Sequence, residues 1–144
     1  MIFWIRLLYN LLFPIVLVLL LPGFLLRMIR RGKYRHKFWQ RFAIYSEGVE
    51  RKIAGTGRIW IHAVSVGEVN IAMKLIQALR ESDSSLEFVL STTTSTGFKL
   101  AATRKTSWLE PIYNPVDFYP VARRAMRLIR PRVLILVEAE VWPN

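Results

Sequence analysis

The stretch Ile59–Val69, reading IWIHAVSVGEV, constrains this chain more than any other. An apolar, strand-like run breaks at a small-residue turn, and a carboxylate then opens an amphipathic helix. That is a βα junction, and open α/β sheets present their chemistry at the carboxyl ends of such strands. Glu68 falls in the first helical turn, where unpaired backbone N–H groups and the helix dipole favour the anion. Two roles fit it. It complements the dipole, or it accepts a proton from a substrate hydroxyl, provided something nearby holds its pKa up.

The same alternation of apolar run, polar turn and helix recurs along residues 58–144. The pattern predicts strands at 58–63, 86–90, 109–113 and 132–137, with helices at 68–80, after Gly97, and at 119–129. Asp117 is placed to cap the last helix, and Pro131 closes it. The run Val133–Val137 reads as a strand buried on both faces, as parallel sheets require. The fold class is therefore α/β, a Rossmann-like parallel sheet. Polar clusters then fall at strand ends: Ser65 to Glu68, Thr92 to Gly97, and Glu138 to Glu140, all expected along one crevice. Two carboxylates sharing it would raise one pKa and offset the dipole at Glu68. The threonine-rich turn fits either anion binding or simple helix capping. His62, inside a strand, reads as a hydrogen-bonded core residue rather than a metal ligand. Gly55 and Gly57 precede the strand and lack a third glycine, so they make no dinucleotide fingerprint.

The first 29 residues differ from the rest. Residues 7–26 carry no charge, and twenty helical residues span about 30 Å, the thickness of a bilayer core. Pro14, Pro22 and Gly23 suit a kinked or shallow helix. Basic residues follow the apolar run instead of a small-residue cleavage site, which argues for a retained anchor over a signal peptide. The charge bias holds the following domain on the cytoplasmic side. Net charge is +11, and Arg27, Arg30, Arg31, Lys33, Arg35, Lys37 and Arg41 cluster beside the anchor. Phe38, Trp39, Phe42 and Tyr45 interleave with them. That combination points to an anionic membrane surface and away from nucleic acid. Residues 30–57 are expected to be a juxtamembrane segment followed by a polar linker at 46–57. The chain contains no cysteine, which excludes disulfides and thiolate metal sites.

Taken together, HAVSVGEV, LSTTTSTG and ILVEAEVWPN, preceded by a basic aromatic stretch ending RFAIY, resemble the Kdo transferase family, over its amino-terminal half. The resemblance implies a GT-B glycosyltransferase at the inner membrane, facing the cytoplasm. Such enzymes transfer 3-deoxy-D-manno-octulosonic acid (Kdo) from CMP-Kdo to the lipid A precursor lipid IVA. It implies Glu68 as general base and Glu138 as support for the transition state. Ser65, Gly67, Ser95, Thr96, Gly97 and Glu140 would line the acceptor cleft. No metal or other cofactor is implied. The donor site belongs to a second domain with no counterpart here, so residues 58–144 are expected to be an incomplete acceptor domain, inactive alone. Three positions depart from the family pattern: Gln40 replaces an acid, Ala43 a glycine, and Ser95 a proline. The alternative is a non-catalytic membrane module that binds anionic glycolipid.

Overall fold

The computed structural model describes residues 2–31, 37–138 and 143–144, with backbone alone for 2–3, 21 and 24–31. Its centre is a four-stranded parallel sheet in the order β3-β2-β1-β4, formed by β1 (Ile59–Ala63), β2 (Phe88–Thr92), β3 (Leu109–Tyr113) and β4 (Val133–Leu136). Period-two alternation sorts the strand side chains into two cores. Ile59, Ile61, Phe88 and Leu90 meet α3 (Val66–Ser82) and α4 (Ser95–Thr103) through Val69, Ala72, Ile76 and Ala101. Trp60, Val89 and Ile112 meet α2 (Glu47–Ile53) and α5 (Tyr119–Ile129) through Val49, Ile53, Ala125 and Ile129.

The chain therefore winds outward from β1 to β3 with α3 and α4 on one face. It then returns with α5 on the other face and inserts β4 beside β1. That reversal makes the β1/β4 boundary a topological switch point, the place where such sheets bind ligands.

Four expectations change. Residues 46–57 are not simply a linker: Val49 and Ile53, one turn apart, bury into the core and draw 47–53 into a helix. The fourth strand is not buried on both faces. Among the described strands it pairs with β1 alone, and Val133, Leu134 and Leu136 are 46%, 37% and 38% exposed. Asp117 does not cap α5. The N-cap is Phe118, without a side-chain bond, and the first helical N–H, from Tyr119, donates to Asn10 Oδ1 at 3.0 Å.

The fourth change concerns the amino-terminal helix. α1 (Ile2–Arg31) is continuous, with Pro14 and Pro22 inside it, but among the described residues no helix is long and apolar enough to cross a membrane. The apolar run is interrupted on one side by groups that dock it to the domain. Asn10 reaches Tyr119, and Phe13 stacks on Phe118 with ring centroids 5.2 Å apart.

Candidate active site

Glu68 enters the switch point through a capping box. Ser65 is the N-cap of α3, and its Oγ accepts from the Glu68 N–H at 3.4 Å. In return the carboxylate accepts from the Ser65 N–H at 3.1 Å and the Val64 N–H at 2.7 Å. The residue is buried, at 5% exposure. Burial pushes its pKa upward, but the Val64 N–H, the Ser65 hydroxyl and N–H, and nearby His62 together outweigh it. The carboxyl lies below its ordinary value. Proximity of a second carboxylate was expected to raise it; instead, no acid among the described residues contributes. Glu68 is thus ionised at neutral pH, which satisfies the dipole and also leaves it in the form that accepts a proton.

The neighbouring loop is tied to this one. Thr94, the N-cap of α4, donates from its hydroxyl to the Val64 carbonyl at 2.9 Å and from its N–H at 3.2 Å. The same hydroxyl accepts from the Gly97 N–H at 3.1 Å. A Cβ at Gly97 would stand 2.9 Å from Thr94 Oγ1 and 3.4 Å from the Val64 carbonyl, so glycine permits the close approach. Of the expected acceptor residues, Ser65 and Ser95 are half-buried, Gly67 and Thr96 are exposed, and Gly97 is buried. The loops after β1 and β2 bring these five together. Thr94, absent from the expected set, is the residue that joins the two loops. Its signal was Thr three positions before Gly at a helix start.

On the other side of β1, the Val137 N–H donates to the His62 carbonyl at 3.0 Å. Glu138 follows directly and is exposed, so it extends from the strand that borders β1 at the switch point. Glu140 lies outside the described residues. His62 is indeed a hydrogen-bonded core residue. Ser91 Oγ accepts from the Trp60 indole N–H at 2.8 Å and lies 2.9 Å from His62 Nδ1. Indole only donates, so Ser91 Oγ is the acceptor of the Trp60 bond, and its bond with Nδ1 runs in the direction that the imidazole tautomer sets. Among the described residues no three His, Asp or Glu side chains gather in a way that could hold a metal ion.

The basic aromatic segment contributes more than an approach to a surface. A 3₁₀ helix at Phe38–Phe42 packs onto the carboxyl end of β3. Arg41 Nη2 donates to the Thr93 carbonyl at 2.7 Å, and its guanidinium lies 4.5 Å from the centre of the Tyr113 ring. Tyr113 stacks on Phe98 at 4.2 Å, and the Lys37 ammonium sits 4.9 Å from Phe98. Burial and the neighbouring Lys105 lower the Lys37 pKa, while Glu110 opposes them. The departures at 40 and 43 also acquire places. Gln40 Oε1 accepts from the buried Tyr113 N–H at 3.0 Å, satisfying a donor of edge strand β3. Ala43 is buried at a left-handed φ of 54°, a conformation that favours the glycine of the family pattern.

These features define a class: an open parallel α/β domain with an ionised, buried carboxylate and an exposed one on loops flanking its switch point. A family model described as 3-deoxy-D-manno-octulosonic-acid transferase (kdotransferase) matches residues 36–144, and the chain belongs to that family. It is 35% identical over 135 residues to a 3-deoxy-D-manno-octulosonic acid transferase of Bordetella pertussis, covering 87% of this chain and 31% of the relative. To the protein of the same name from Haemophilus influenzae it is 29% identical over 116 residues, covering 81% and 26%. A bifunctional glycosyltransferase/methyltransferase of Fusobacterium nucleatum is 36% identical over 88 residues, covering 60% and 14%. The chain thus spans a third or less of the length of these relatives.

Proposed function

We propose that this chain forms the acceptor side of a GT-B glycosyltransferase that transfers Kdo from CMP-Kdo to lipid IVA. The observation that carries the reading is Glu68, ionised and fixed at the switch point of a domain belonging to the Kdo transferase family. In the reaction a hydroxyl oxygen of the acceptor attacks the anomeric carbon of Kdo, and the bond from that carbon to the phosphate oxygen of CMP breaks. The hydroxyl proton passes to the Glu68 carboxylate. Its low pKa makes it a weak base, and partial release from the Val64 or Ser65 N–H would strengthen it as the proton arrives. Glu138 offsets positive charge developing on the sugar ring. The half-buried Ser65 and Ser95, the exposed Thr96 and Gly67, and the buried Gly97 bound the acceptor cleft. CMP-Kdo is held by a second domain.

The chain works at the cytoplasmic face of the inner membrane, lying on the surface. Two features support this location: the exposed aliphatic side chains of α1 and the net charge of +11. A second reading, a non-catalytic module binding anionic glycolipid, is favoured by the engagement of both Glu68 oxygens in the capping box.

Glu68→Gln separates the two. Glutamine also completes a capping box, so the fold survives while the base is lost. In a full-length transferase carrying this domain, the variant should lose on the order of 10²- to 10⁴-fold in kcat and keep its acceptor affinity. Unchanged turnover would leave Glu68 a helix cap and nothing more.

A further inference from the structure

The transfer chemistry makes no use of a cavity beside α1. A groove of about 490 Å³ runs between α1 and the start of α5, lined by Arg6, Leu7, Phe118, Tyr119 and Pro120 with the amides of Asn10 and Asn144, which are hydrogen-bonded to each other. Its size falls within the roughly 300–1,000 Å³ typical of sites for small organic ligands. The Arg123 guanidinium lies 5.8 Å from the centre of the Tyr119 ring, so a second cation stands beside it. Among the described residues no acidic side chain lines the groove, and the nearby Asp117 is engaged by Asn144. Beyond it, α1 continues as an apolar surface: Trp4, Leu8, Leu11, Leu12 and Ile15 are between 46% and 69% exposed. An apolar surface of this extent marks a contact with something apolar.

The occupant must match three features at once. It must be aliphatic where it meets Leu7, Phe118 and Pro120. It must be anionic where it meets Arg6, and it must continue into the phase that covers the rest of α1. A water-soluble metabolite meets the second condition alone. Arginines at the edge of an apolar surface meet lipid phosphates by extending their stems over the hydrocarbon.

We propose that this groove binds a single anionic membrane lipid, its acyl chain against Leu7, Phe118 and Pro120 and its phosphate at Arg6. The assignment rests on the membrane-surface reading above and is independent of the transfer reaction. In this arrangement the lipid is wedged between α1 and the domain, and fixes the depth at which the domain sits.

The test is photo-crosslinking of the 144-residue chain on vesicles of phosphatidylcholine and phosphatidylglycerol containing a trace of phosphatidylglycerol with a diazirine-bearing acyl chain. The crosslinks are mapped by peptide mass spectrometry. The chain should sediment with the vesicles and carry crosslinks at residues 118–120 as well as along α1. Arg6→Gln, at an exposed position, should lower labelling at 118–120 by about five-fold, the effect of one arginine at an anionic surface, and leave Ile15–Leu20 labelled as before. Sedimentation with labels on α1 but none at 118–120 would overturn the groove and leave the membrane reading standing. Failure to sediment would overturn both. Equal labelling by the corresponding phosphatidylcholine probe in pure phosphatidylcholine vesicles would overturn the anionic headgroup.

Discussion

At the scale of single residues, Glu68 shows how one side chain serves fold and chemistry together. The backbone N–H groups that lower its pKa are those of the turn it caps, so its charge and the start of α3 stabilise each other. The sign of the pH dependence follows. A carboxyl whose folded pKa lies below its unfolded value of 4.5 contributes fully above that value. The contribution is lost as pH falls through the folded pKa. Denaturant unfolding should find Glu68→Gln about 1–3 kcal/mol less stable than wild type at pH 7, because the amide offers one neutral acceptor oxygen where the carboxylate accepts from both Val64 and Ser65. The gap should close on acidification. A gap that widens instead would mean that burial dominates at this site. Glu68 as a first-turn acid at a βα junction was legible in the sequence. The direction of its pKa was not, because that depends on which N–H groups the folded turn aims at it.

At the scale of elements, the starts of α3 and α4 act as one unit through the Thr94–Val64 bonds. The two glycines that open these helices then have opposite expectations. Gly97→Ala forces its Cβ against Thr94 Oγ1 and should cost about 1–3 kcal/mol of stability through overpacking and a weakened cap. A Cβ at Gly67 meets Ser65 Oγ at 3.8 Å, an ordinary contact. Gly67→Ala should therefore leave the fold intact or stabilise it by up to about 1 kcal/mol. Thermal unfolding of the pair checks this, and equal losses would refute the distinction. Loss of acceptor binding by Gly67→Ala without loss of stability would place the ligand against that exposed turn. Spacing predicted both helices. It did not show that Val64 joins them, because Val64 and Thr94 are thirty residues apart.

At the scale of the whole molecule, α1 is built into the domain through polar contacts that its apolar composition concealed. Asn10 caps α5 through Tyr119 and donates to Asn144 Oδ1 at 2.8 Å. Asn144 in turn donates from its backbone N–H and its amide to Asp117, both at 3.3 Å. Asn10→Ala should cost about 1 kcal/mol and speed amide exchange in the first turn of α5, read by hydrogen–deuterium exchange. Unaltered exchange there would mean that α1 rests on the domain without holding it. The sequence by itself determined the alternation of strands and helices, the parallel sheet and the polar strand ends, because periodic burial is a local property of the chain. Tertiary structure alone decided that 47–53 joins the core, that β4 pairs with β1 among the described strands, and that Arg41, Tyr113 and Phe98 stack. It alone decided that Asn10 caps a helix more than a hundred residues away. A polar side chain carries no local mark of its distant partner; that partner exists once the sheet order has made the elements neighbours.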